Sequence, residues 1–371
     1  MSEVWREWAD GASARIRAAG QWRAPRDLDA SGPEGKLAPD GRAVVSFASN
    51  DYLGLTQHPA VVAAAHAALD RWGSGSGSAR LIVGSRPIHS ELESELAAWK
   101  QAERAVLFPT GFAANLGVLA ALGGPDALIC SDALNHASII DGCRAARADV
   151  AVYRHADVGH VDTLLRERAP AGRRAIVVTD TVFSMDGDLA PVDALADVCV
   201  RHGALLVLDE AHAVLGPDPD LAGVDVLRVG TLSKTLGSLG GFVAGPAALT
   251  ELVVNRARSY IFTTASTPAD AAAALAALGI VRSDEGGRLR ARLRTHVERL
   301  RPAHPSPIVP VLLGTEARAE AAAARLLDLG LLVPAIRPPT VPPGTSRLRV
   351  ALSAAHTEEQ IATLARALAA L

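Results

Sequence analysis

The chain is poor in aromatic residues and in cysteine: aromatics make up 4% of its 371 residues, and cysteine occurs three times. Cys130, Cys143 and Cys199 are an odd number, at spacings that suit neither a disulfide framework nor a metal site. We therefore expect three buried thiols and no bound metal. Thiols that stay unpaired are typical of a reducing compartment, which indicates the cytoplasm.

Long apolar runs and a strong excess of charge are also missing. No apolar run reaches the roughly 18 residues that a membrane span needs, although hydrophobic residues make up 49% of the chain. Residues 1–17 mix charges with a helical apolar pattern and lack a secretory core. The formal net charge of −3 argues against a nucleic-acid surface. These absences argue against membrane and nucleic-acid partners and favour a metabolic enzyme.

What the sequence does contain is an alternation of apolar strands and amphipathic helices. Residues 175–178 and 204–208 have the pattern of buried strands, and a helical pattern over residues 191–202 lies between them. This β-α-β unit predicts an α/β fold with a mostly parallel sheet and helices on both faces. Polar residues at the ends of such strands are expected to meet in a crevice at the carboxyl edge of the sheet.

The pattern changes twice along the chain, which predicts three regions. The first is a helix over residues 4–19 followed by a polar link, and the second is the large α/β domain. The third has long Ala/Leu/Arg helices around a strand at residues 308–313, which is typical of a smaller α+β domain. The predicted regions are residues 1–44, 45–275 and 276–371.

Two strand ends carry the residues with the clearest chemistry. The apolar residues 224–229 run into the segment GTLSKTLG, in which Lys234 is the one lysine among small and hydroxylated residues. A lysine at the end of a buried strand can have a lowered pKa and can form a Schiff base. Residues 204–208 end in Asp209-Glu210-Ala211-His212. An aspartate, a histidine and a lysine at strand ends predict a site for pyridoxal phosphate (PLP).

The same letters could be taken for an ATPase, because Asp209 to His212 spell an acidic motif of helicases. That function requires a phosphate loop of the form G-x-x-x-x-G-K-[ST]. Ser233 stands where the loop needs glycine, and the segment follows the acidic motif instead of preceding it. The sequence therefore argues against the ATPase.

An ordered set of motifs over nearly the whole chain resembles the α-oxoamine synthases of the fold-type-I PLP superfamily. Besides the two strand-end motifs, the set comprises SNDYLGL at residues 49–55, GFAAN at 111–115, VFSMDGD at 182–188, IRPPTVP at 336–342 and RLR at 347–349. The C-terminal segments are especially like the branch of the family that begins the rings of biotin. The resemblance implies the fold of aspartate aminotransferase, PLP as cofactor and a homodimer with shared active sites.

The resemblance also assigns roles around the cofactor ring. Lys234 would hold PLP covalently and, once freed, act as the general base at the substrate Cα. Asp209 would keep the pyridine nitrogen protonated, so that the ring can accept electrons. His212, together with Ser184 or a near neighbour, would hydrogen-bond the ring phenolic oxygen, and His136 would stack on the ring face.

Four further residues are assigned to the cofactor phosphate. Gly111 and Phe112 follow the apolar residues 105–108 and open a helix, whose N-terminal N–H groups and dipole suit an anion. Thr231 would add its hydroxyl to the same phosphate. Thr264 resembles the family threonine that reaches the phosphate from the partner subunit.

Three residues are assigned to the substrates. Arg349 would bind the amino-acid carboxylate through its planar fork, with Asn50 as its helper. Arg23 is a candidate contact for the thioester. The implied reaction is the decarboxylative condensation of L-alanine with pimeloyl-coenzyme A or pimeloyl-carrier protein, giving 8-amino-7-oxononanoate, carbon dioxide and a free thiol.

Several alternatives stay open from the sequence. Ala213 replaces a usual family glycine, Thr110 stands where serine is common, and residues 216–224 form a shorter loop than usual. The chain could be another oxoamine synthase, such as a glycine C-acetyltransferase or a 5-aminolevulinate synthase, or an aminotransferase. It could also be a PLP-binding subunit without catalysis. The sequence does not decide between coenzyme A and carrier protein as the acyl donor.

Overall fold

The structure, a computed structural model, describes residues 1–170, 172–216 and 218–371. Its helices in chain order are α1 (Glu3–Ala18), α2 (Pro59–Trp72), α3 (Pro87–Trp99), α4 (Gly111–Leu122), α5 (Ala137–Ala146), α6 (Val158–Arg168), α7 (Val192–His202), α8 (Ala247–Arg256), α9 (Arg258–Ile261), α10 (Pro268–Val281), α11 (Asp284–Leu300), α12 (Glu316–Asp328) and α13 (Glu358–Ala369). Among the described residues, no helix combines the length and the apolar character needed to cross a bilayer.

The strands in chain order are β1 (Leu28–Ala30), β2 (Glu34–Leu37), β3 (Arg42–Ser46), β4 (Arg104–Phe108), β5 (Ala127–Asp132), β6 (Asp149–Tyr153), β7 (Arg174–Asp180), β8 (Leu205–Asp209), β9 (Val226–Thr231), β10 (Gly241–Gly245), β11 (Ile308–Gly314), β12 (Leu331–Leu332), β13 (Ala335–Ile336) and β14 (Ser346–Ala351). A short 3₁₀ turn covers Leu55–Gln57, and a π-helical turn covers Arg80–Gly84.

A seven-stranded sheet in the order β4-β10-β9-β8-β7-β5-β6 forms the centre of the molecule. The neighbouring pairs from β9 to β6 are parallel, and β10 is antiparallel to both β4 and β9. The connection from β9 to β10 has no crossover helix, so the chain returns as an antiparallel strand. The predicted α/β fold with a mostly parallel sheet is therefore confirmed.

Helices cover both faces of this sheet because successive strand residues point to opposite faces. On one face, residues such as Val207 and Val229 pack with α4, α5, α8 and α9. On the other face, α2, α3 and α10 cover β4 and β10, and α6 and α7 cover the strands from β5 to β8. Apart from the edge strand β6, whose Val150 and Val152 are exposed, the strands are buried on both sides. Their carboxyl ends therefore provide the positions where polar side chains can reach a crevice.

The C-terminal part of the chain forms a smaller sheet in the order β11-β14-β13, with α11, α12 and α13 around it. The link that the sequence predicts after α1 contains β1 and β2, which join β3 and β12 in a four-stranded sheet. The predicted boundaries near residues 44 and 275 fall inside β3 and α10. The division into three regions remains a prediction.

Candidate active site

The candidate site lies where strands of the central sheet end. Asp180, Asp209 and Thr231 are the last residues of β7, β8 and β9, three neighbouring strands that run in the same direction. Lys234 lies in the turn that leads from β9 back into β10. Gly237 in this turn has φ of +58°, and a Cβ there would lie 2.7 Å from the Thr56 nitrogen. The lysine turn therefore fits closely against the chain that follows Asn50.

Asp209 is buried and held by two N–H donors. The Asn115 side-chain nitrogen donates to Asp209 Oδ2 over 2.6 Å, and the Ala211 N–H donates to Oδ1 over 2.9 Å. Asn115 also donates to the Ser138 hydroxyl over 2.9 Å, and its own buried Oδ1 has no partner among the described residues. These contacts fix the direction of the carboxylate on the face of the sheet that α4 and α5 cover.

The Lys234 amine has a lowered pKa, which burial causes. The negative charges of Asp209 and Asp180 oppose this effect, and the Arg349 guanidinium reinforces it. A larger fraction of neutral amine makes a better nucleophile toward an aldehyde and a better base toward a C–H bond. The structure therefore brings Lys234 and Asp209 together, as the sequence predicts.

Both predicted histidines lie in this cluster. His212 is buried, and its Nδ1 lies 2.6 Å from the Tyr52 hydroxyl. Burial and then the positive charges of Lys234 and Arg349 hold the pKa of His212 well below its usual value. His136 precedes α5, and burial lowers its pKa, which the charge of Asp209 partly offsets. The surroundings of both imidazoles therefore favour the neutral form.

Asp180 is a site residue that the sequence analysis missed. Its Oδ2 accepts the backbone N–H of His136 over 2.8 Å. Burial and the nearby charge of Asp209 raise the pKa of Asp180 well above its usual value. Asn115 and Tyr52 were also missed as individual residues, although both lie inside motifs that the resemblance had singled out. Asp180 lies two residues before such a motif and ends a strand, which was the available signal.

The predicted substrate anchor Arg349 is buried in β14 and contacts two predicted site residues. Its Nη2 donates to Asn50 Oδ1 over 3.1 Å, and its Nε donates to the backbone carbonyl of Ser184. The Tyr52 hydroxyl donates to Asn50 Oδ1 over 3.1 Å and so connects this pair to His212. A chain of polar contacts thus joins the guanidinium to the strand-end cluster.

The turn that carries Ser184 is fixed against the smaller sheet. Gly187 has φ of +70°, and a Cβ at this position would lie 2.0 Å from the carbonyl oxygen of Ile308. Asp186 in the same turn forms an ion pair with the buried Arg347 of β14. The turn follows β7 of the central sheet in the chain, but it packs against β11 and β14 of the smaller sheet.

The N-terminus of α4 meets the end of β9, as an anion site requires. A Cβ on Gly111 would lie 3.3 Å from the Thr231 Cβ. Thr110 caps the helix by accepting the Ala113 N–H over 3.0 Å. The Phe112 side chain is largely exposed and meets His136 edge to face, with 6.3 Å between ring centroids. The predicted phosphate residues on these two elements therefore lie together.

Two predicted site residues lie apart from these contacts. Thr264 is exposed, in a segment beside Arg80 and Tyr260. Arg23 donates from Nη2 to the Thr340 hydroxyl over 3.3 Å, at the C-terminal motif. The contacts of the described residues connect neither one to Lys234.

The donor set suits PLP. A weakly basic amine can bind an aldehyde, a fixed carboxylate can face a pyridine nitrogen, and an open helix N-terminus beside a threonine can hold a phosphate. A Cβ on Gly111 would crowd Thr231 at 3.3 Å, so a glycine lets the helix N-terminus and the threonine approach each other closely. Asn115 Oδ1, next to the Asp209 carboxylate, has no hydrogen-bond partner among the described residues. A further polar group beside Asp209 would therefore be favourable.

Comparisons with known proteins agree with this chemistry. The family model of aminotransferase class I and II matches residues 42–368. A curated 8-amino-7-oxononanoate synthase from Anaeromyxobacter dehalogenans (strain 2CP-1) is 52% identical, covering 93% of this chain and 91% of the relative. A protein of the same name from Methylobacterium sp. (strain 4-46) is 50% identical, covering 92% and 93%.

Among solved structures, a serine palmitoyltransferase from S. paucimobilis with a bound PLP–myriocin aldimine has a TM-score of 0.91 and 30% sequence identity, covering 100% of this chain and 98% of that one. The family match and this PLP-bound neighbour confirm the predicted cofactor. The chain therefore belongs to the aminotransferase class I and II family of PLP-dependent enzymes, and within it to the group of the 8-amino-7-oxononanoate synthases.

Proposed function

We propose that the chain condenses L-alanine with a pimeloyl thioester and releases carbon dioxide, a free thiol and 8-amino-7-oxononanoate, a step of biotin synthesis. The identity of 52% to a curated synthase of this name, over 93% of the chain, supports this function. Serine palmitoyltransferase has a similar fold but only 30% sequence identity to this chain. Enzymes with different substrates therefore share the fold, and it is the higher sequence identity that favours the biotin branch. The observation that carries the proposal is the pairing of Arg349 with Asn50 beside the Lys234 cluster.

PLP, when bound, supplies an electron sink that stabilises negative charge at the alanine Cα. Lys234 would hold the cofactor, and Asp209 would face its pyridine nitrogen with the carboxylate direction that Asn115 fixes. His136, His212 and Ser184 would surround the ring. Gly111, Phe112 and Thr231 would bind the phosphate at the N-terminus of α4.

The proton transfers fall to Lys234. Its lowered pKa increases the fraction of neutral amine, which can take the Cα proton of alanine. Arg349 would hold the alanine carboxylate through a charge-assisted hydrogen bond, with Asn50 beside it. A C–C bond then forms from Cα to the thioester carbonyl, the C–S bond breaks, and the carboxylate leaves as carbon dioxide. Lys234 returns a proton to Cα.

A homodimer with shared sites is part of this proposal. Exposed apolar side chains cluster in the π-helical turn at Leu81, Ile82 and Val83, and Phe262 near Thr264 is 70% exposed. A partner subunit that covers these side chains would bring its own Thr264 toward the neighbouring phosphate site. Sedimentation velocity should give the mass of two chains, and a mass of one chain would contradict the shared site.

We place the enzyme in the cytoplasm. All three cysteines are buried and unpaired, and burial raises their thiol pKa values, to about 12 for Cys130 and Cys199 and about 11 for Cys143. Such thiols are poor nucleophiles, so they act as small core residues in a reducing compartment.

An amino-acid and acyl-donor panel tests the function. The purified protein with PLP is supplied with alanine, glycine or serine and with pimeloyl-, acetyl-, succinyl- or palmitoyl-coenzyme A, while thiol release is followed. Alanine with the pimeloyl thioester should turn over fastest, and a parallel reaction with pimeloyl-carrier protein identifies the natural donor. Faster turnover of glycine with the acetyl or succinyl donor would refute the biotin function and leave only the family.

A further inference from the structure

A third histidine, His155, lies between two carboxylates close to the candidate site. It follows β6, and its Nδ1 lies 2.9 Å from Asp132 Oδ1 while its Nε2 lies 2.7 Å from Asp188 Oδ2. Asp132 ends β5, and its side chain is 1% exposed, whereas the His155 side chain is 28% exposed. Neither the sequence motifs nor the proposed reaction uses this residue.

The contacts of Asp132 determine how many protons His155 must carry. Asp132 Oδ1 also accepts the Leu134 N–H over 2.8 Å, and Oδ2 accepts the Ala156 N–H over 2.9 Å. A carboxylate that accepts backbone N–H groups on both oxygens is ionised and only accepts. A neutral imidazole has one N–H and could satisfy one carboxylate, so contacts from both ring nitrogens require the doubly protonated imidazolium.

The surrounding charges favour this state. Burial by itself lowers the pKa of His155, but the hydrogen bonds and charges of Asp132 and Asp188 outweigh it and raise the pKa above its usual value. The neighbouring Arg154 pairs with Asp157. On the side of the smaller sheet, the His304 ring faces the Ile308 carbonyl at 2.6 Å, and burial lowers the pKa of His304. The two carboxylates are therefore the charges that hold the imidazolium.

The two carboxylates belong to turns that carry predicted site residues. Asp132 holds the turn before His136 through the Leu134 N–H and through its own carbonyl, which accepts the Asn135 N–H. Asp188 closes the turn over residues 183–188, because its carbonyl accepts the Phe183 N–H over 3.0 Å. The His155 ring also meets Phe183 edge to face, with 4.4 Å between ring centroids.

The second turn supports the substrate anchor, because the Ser184 carbonyl accepts from Arg349. We propose that His155, as an imidazolium, is a positioning residue that ties the His136 turn to the Ser184 turn and so orients Arg349 for the amino-acid carboxylate. Loss of its proton at alkaline pH releases one of the two turns and weakens amino-acid binding. The role in alanine binding rests on the proposed function, whereas the protonation state does not.

Nitrogen NMR of the histidine rings tests the protonation state without substrate. In ¹⁵N-histidine-labelled protein at pH 7, both His155 nitrogens should be protonated, and the spectrum of His155→Gln assigns the signal by its loss. His66→Gln, a change at an exposed residue of α2, provides the control, because it should leave the His155 signal in place. Asp188→Asn should lower the pKa of His155. A singly protonated His155 ring in the wild type at pH 7 would overturn the proposal.

Alanine binding tests the positioning role. Glutamine fills a similar volume but donates from one nitrogen only, so His155→Gln should raise KM for alanine about 10-fold, the scale of one lost charge-assisted hydrogen bond, with less change in kcat. KM of the wild type should rise at alkaline pH, and KM of His155→Gln should depend less on pH; the matched control His66→Gln should behave as the wild type. An unchanged KM and pH profile in His155→Gln would overturn the role. A negative substrate panel would leave the NMR result standing.

Discussion

Asp209 and Glu210 are neighbours in the chain, yet their side chains lie on opposite faces of the central sheet. Glu210 forms direct ion pairs there, whereas Asp209 accepts hydrogen bonds from uncharged groups. Asp209 faces α4 and α5 and is held by neutral N–H donors. Glu210 faces the other side, where its two oxygens lie 2.7 Å from the Lys100 amine and 2.6 Å from Arg228. All three of those side chains are less than 10% exposed.

The difference lies in how far each charge is neutralised by a direct partner. Arg228 also pairs with Asp218, which completes a compensated cluster beside a cavity of about 540 Å³. On the Asp209 face, Lys234 has a lowered pKa, and Asp180 has a raised one. In the paired cluster each charge has a direct partner of opposite sign, whereas on the Asp209 face burial shifts the pKa values of Lys234 and Asp180 toward the neutral forms. Adjacent residues of one strand end can thus serve structure and chemistry separately.

Replacing Lys234 should have the largest effect on turnover. Lys234→Ala removes both the covalent attachment of the cofactor and the base, so condensation should fall by about 10⁴-fold or more, the upper range for one acid–base group. Mass spectrometry after borohydride reduction should find the cofactor on Lys234 in the wild type and no attachment in the variant. Attachment to another lysine would contradict the assignment.

Asp209→Asn should come next, with turnover lowered by about 100- to 1,000-fold, the scale of one preorganised electrostatic group. The change is nearly isosteric, and Asn115 can present its free Oδ1 to the new amide, so the free energy of unfolding should change by less than about 1.5 kcal/mol. Exchange of the alanine Cα proton for deuterium measures the chemical effect. Unchanged exchange would show that the carboxylate is not needed.

Glu210→Gln is the matched substitution on the other face of the sheet. It should lower stability strongly and change turnover little, the opposite of Asp209→Asn. It leaves two buried cations without their shared carboxylate, which should cost about 3–5 kcal/mol of stability. Turnover at a permissive temperature should change by less than about 3-fold, since the Glu210 carboxylate pairs with Lys100 and Arg228, neither of which is a predicted site residue. Urea unfolding of Asp209→Asn and Glu210→Gln side by side tests the comparison. Equal stability losses would show that the two faces do not differ in this way.

The elements around Asp209 and Lys234 could be predicted because their signals are local. Predicted strands at residues 204–208 and 224–229 correspond to β8 and β9 within two residues, since short apolar runs ended by polar residues indicate such strands. The helix predicted over residues 191–202 matches α7 for the same kind of reason. The cofactor followed from the residue types at those strand ends together with the family motifs.

Other features depend on contacts between distant segments. β12 pairs in parallel with β3 from a distant part of the chain, and nothing in residues 42–46 indicates this partner. Asp180 owes its raised pKa first to burial and then to the charge of Asp209, which is 29 residues away in the chain but on the neighbouring strand of the sheet. Thr264 requires a second subunit to complete its predicted role, so one chain's sequence and structure both leave it as a prediction.

Gly187 gives the molecule a mechanical linkage. Its backbone lies against the Ile308 carbonyl with no side chain between them. The turn that bears Ser184 should therefore move together with the smaller sheet. Asp188, the next residue, contacts His155, and His155 contacts Asp132 at the end of β5, before His136. These contacts connect the turn to that strand end. Under the proposed role of Arg349, these contacts connect the amino-acid carboxylate to the strand end before His136, and a residue with a side chain at position 187 should separate the turn from the smaller sheet.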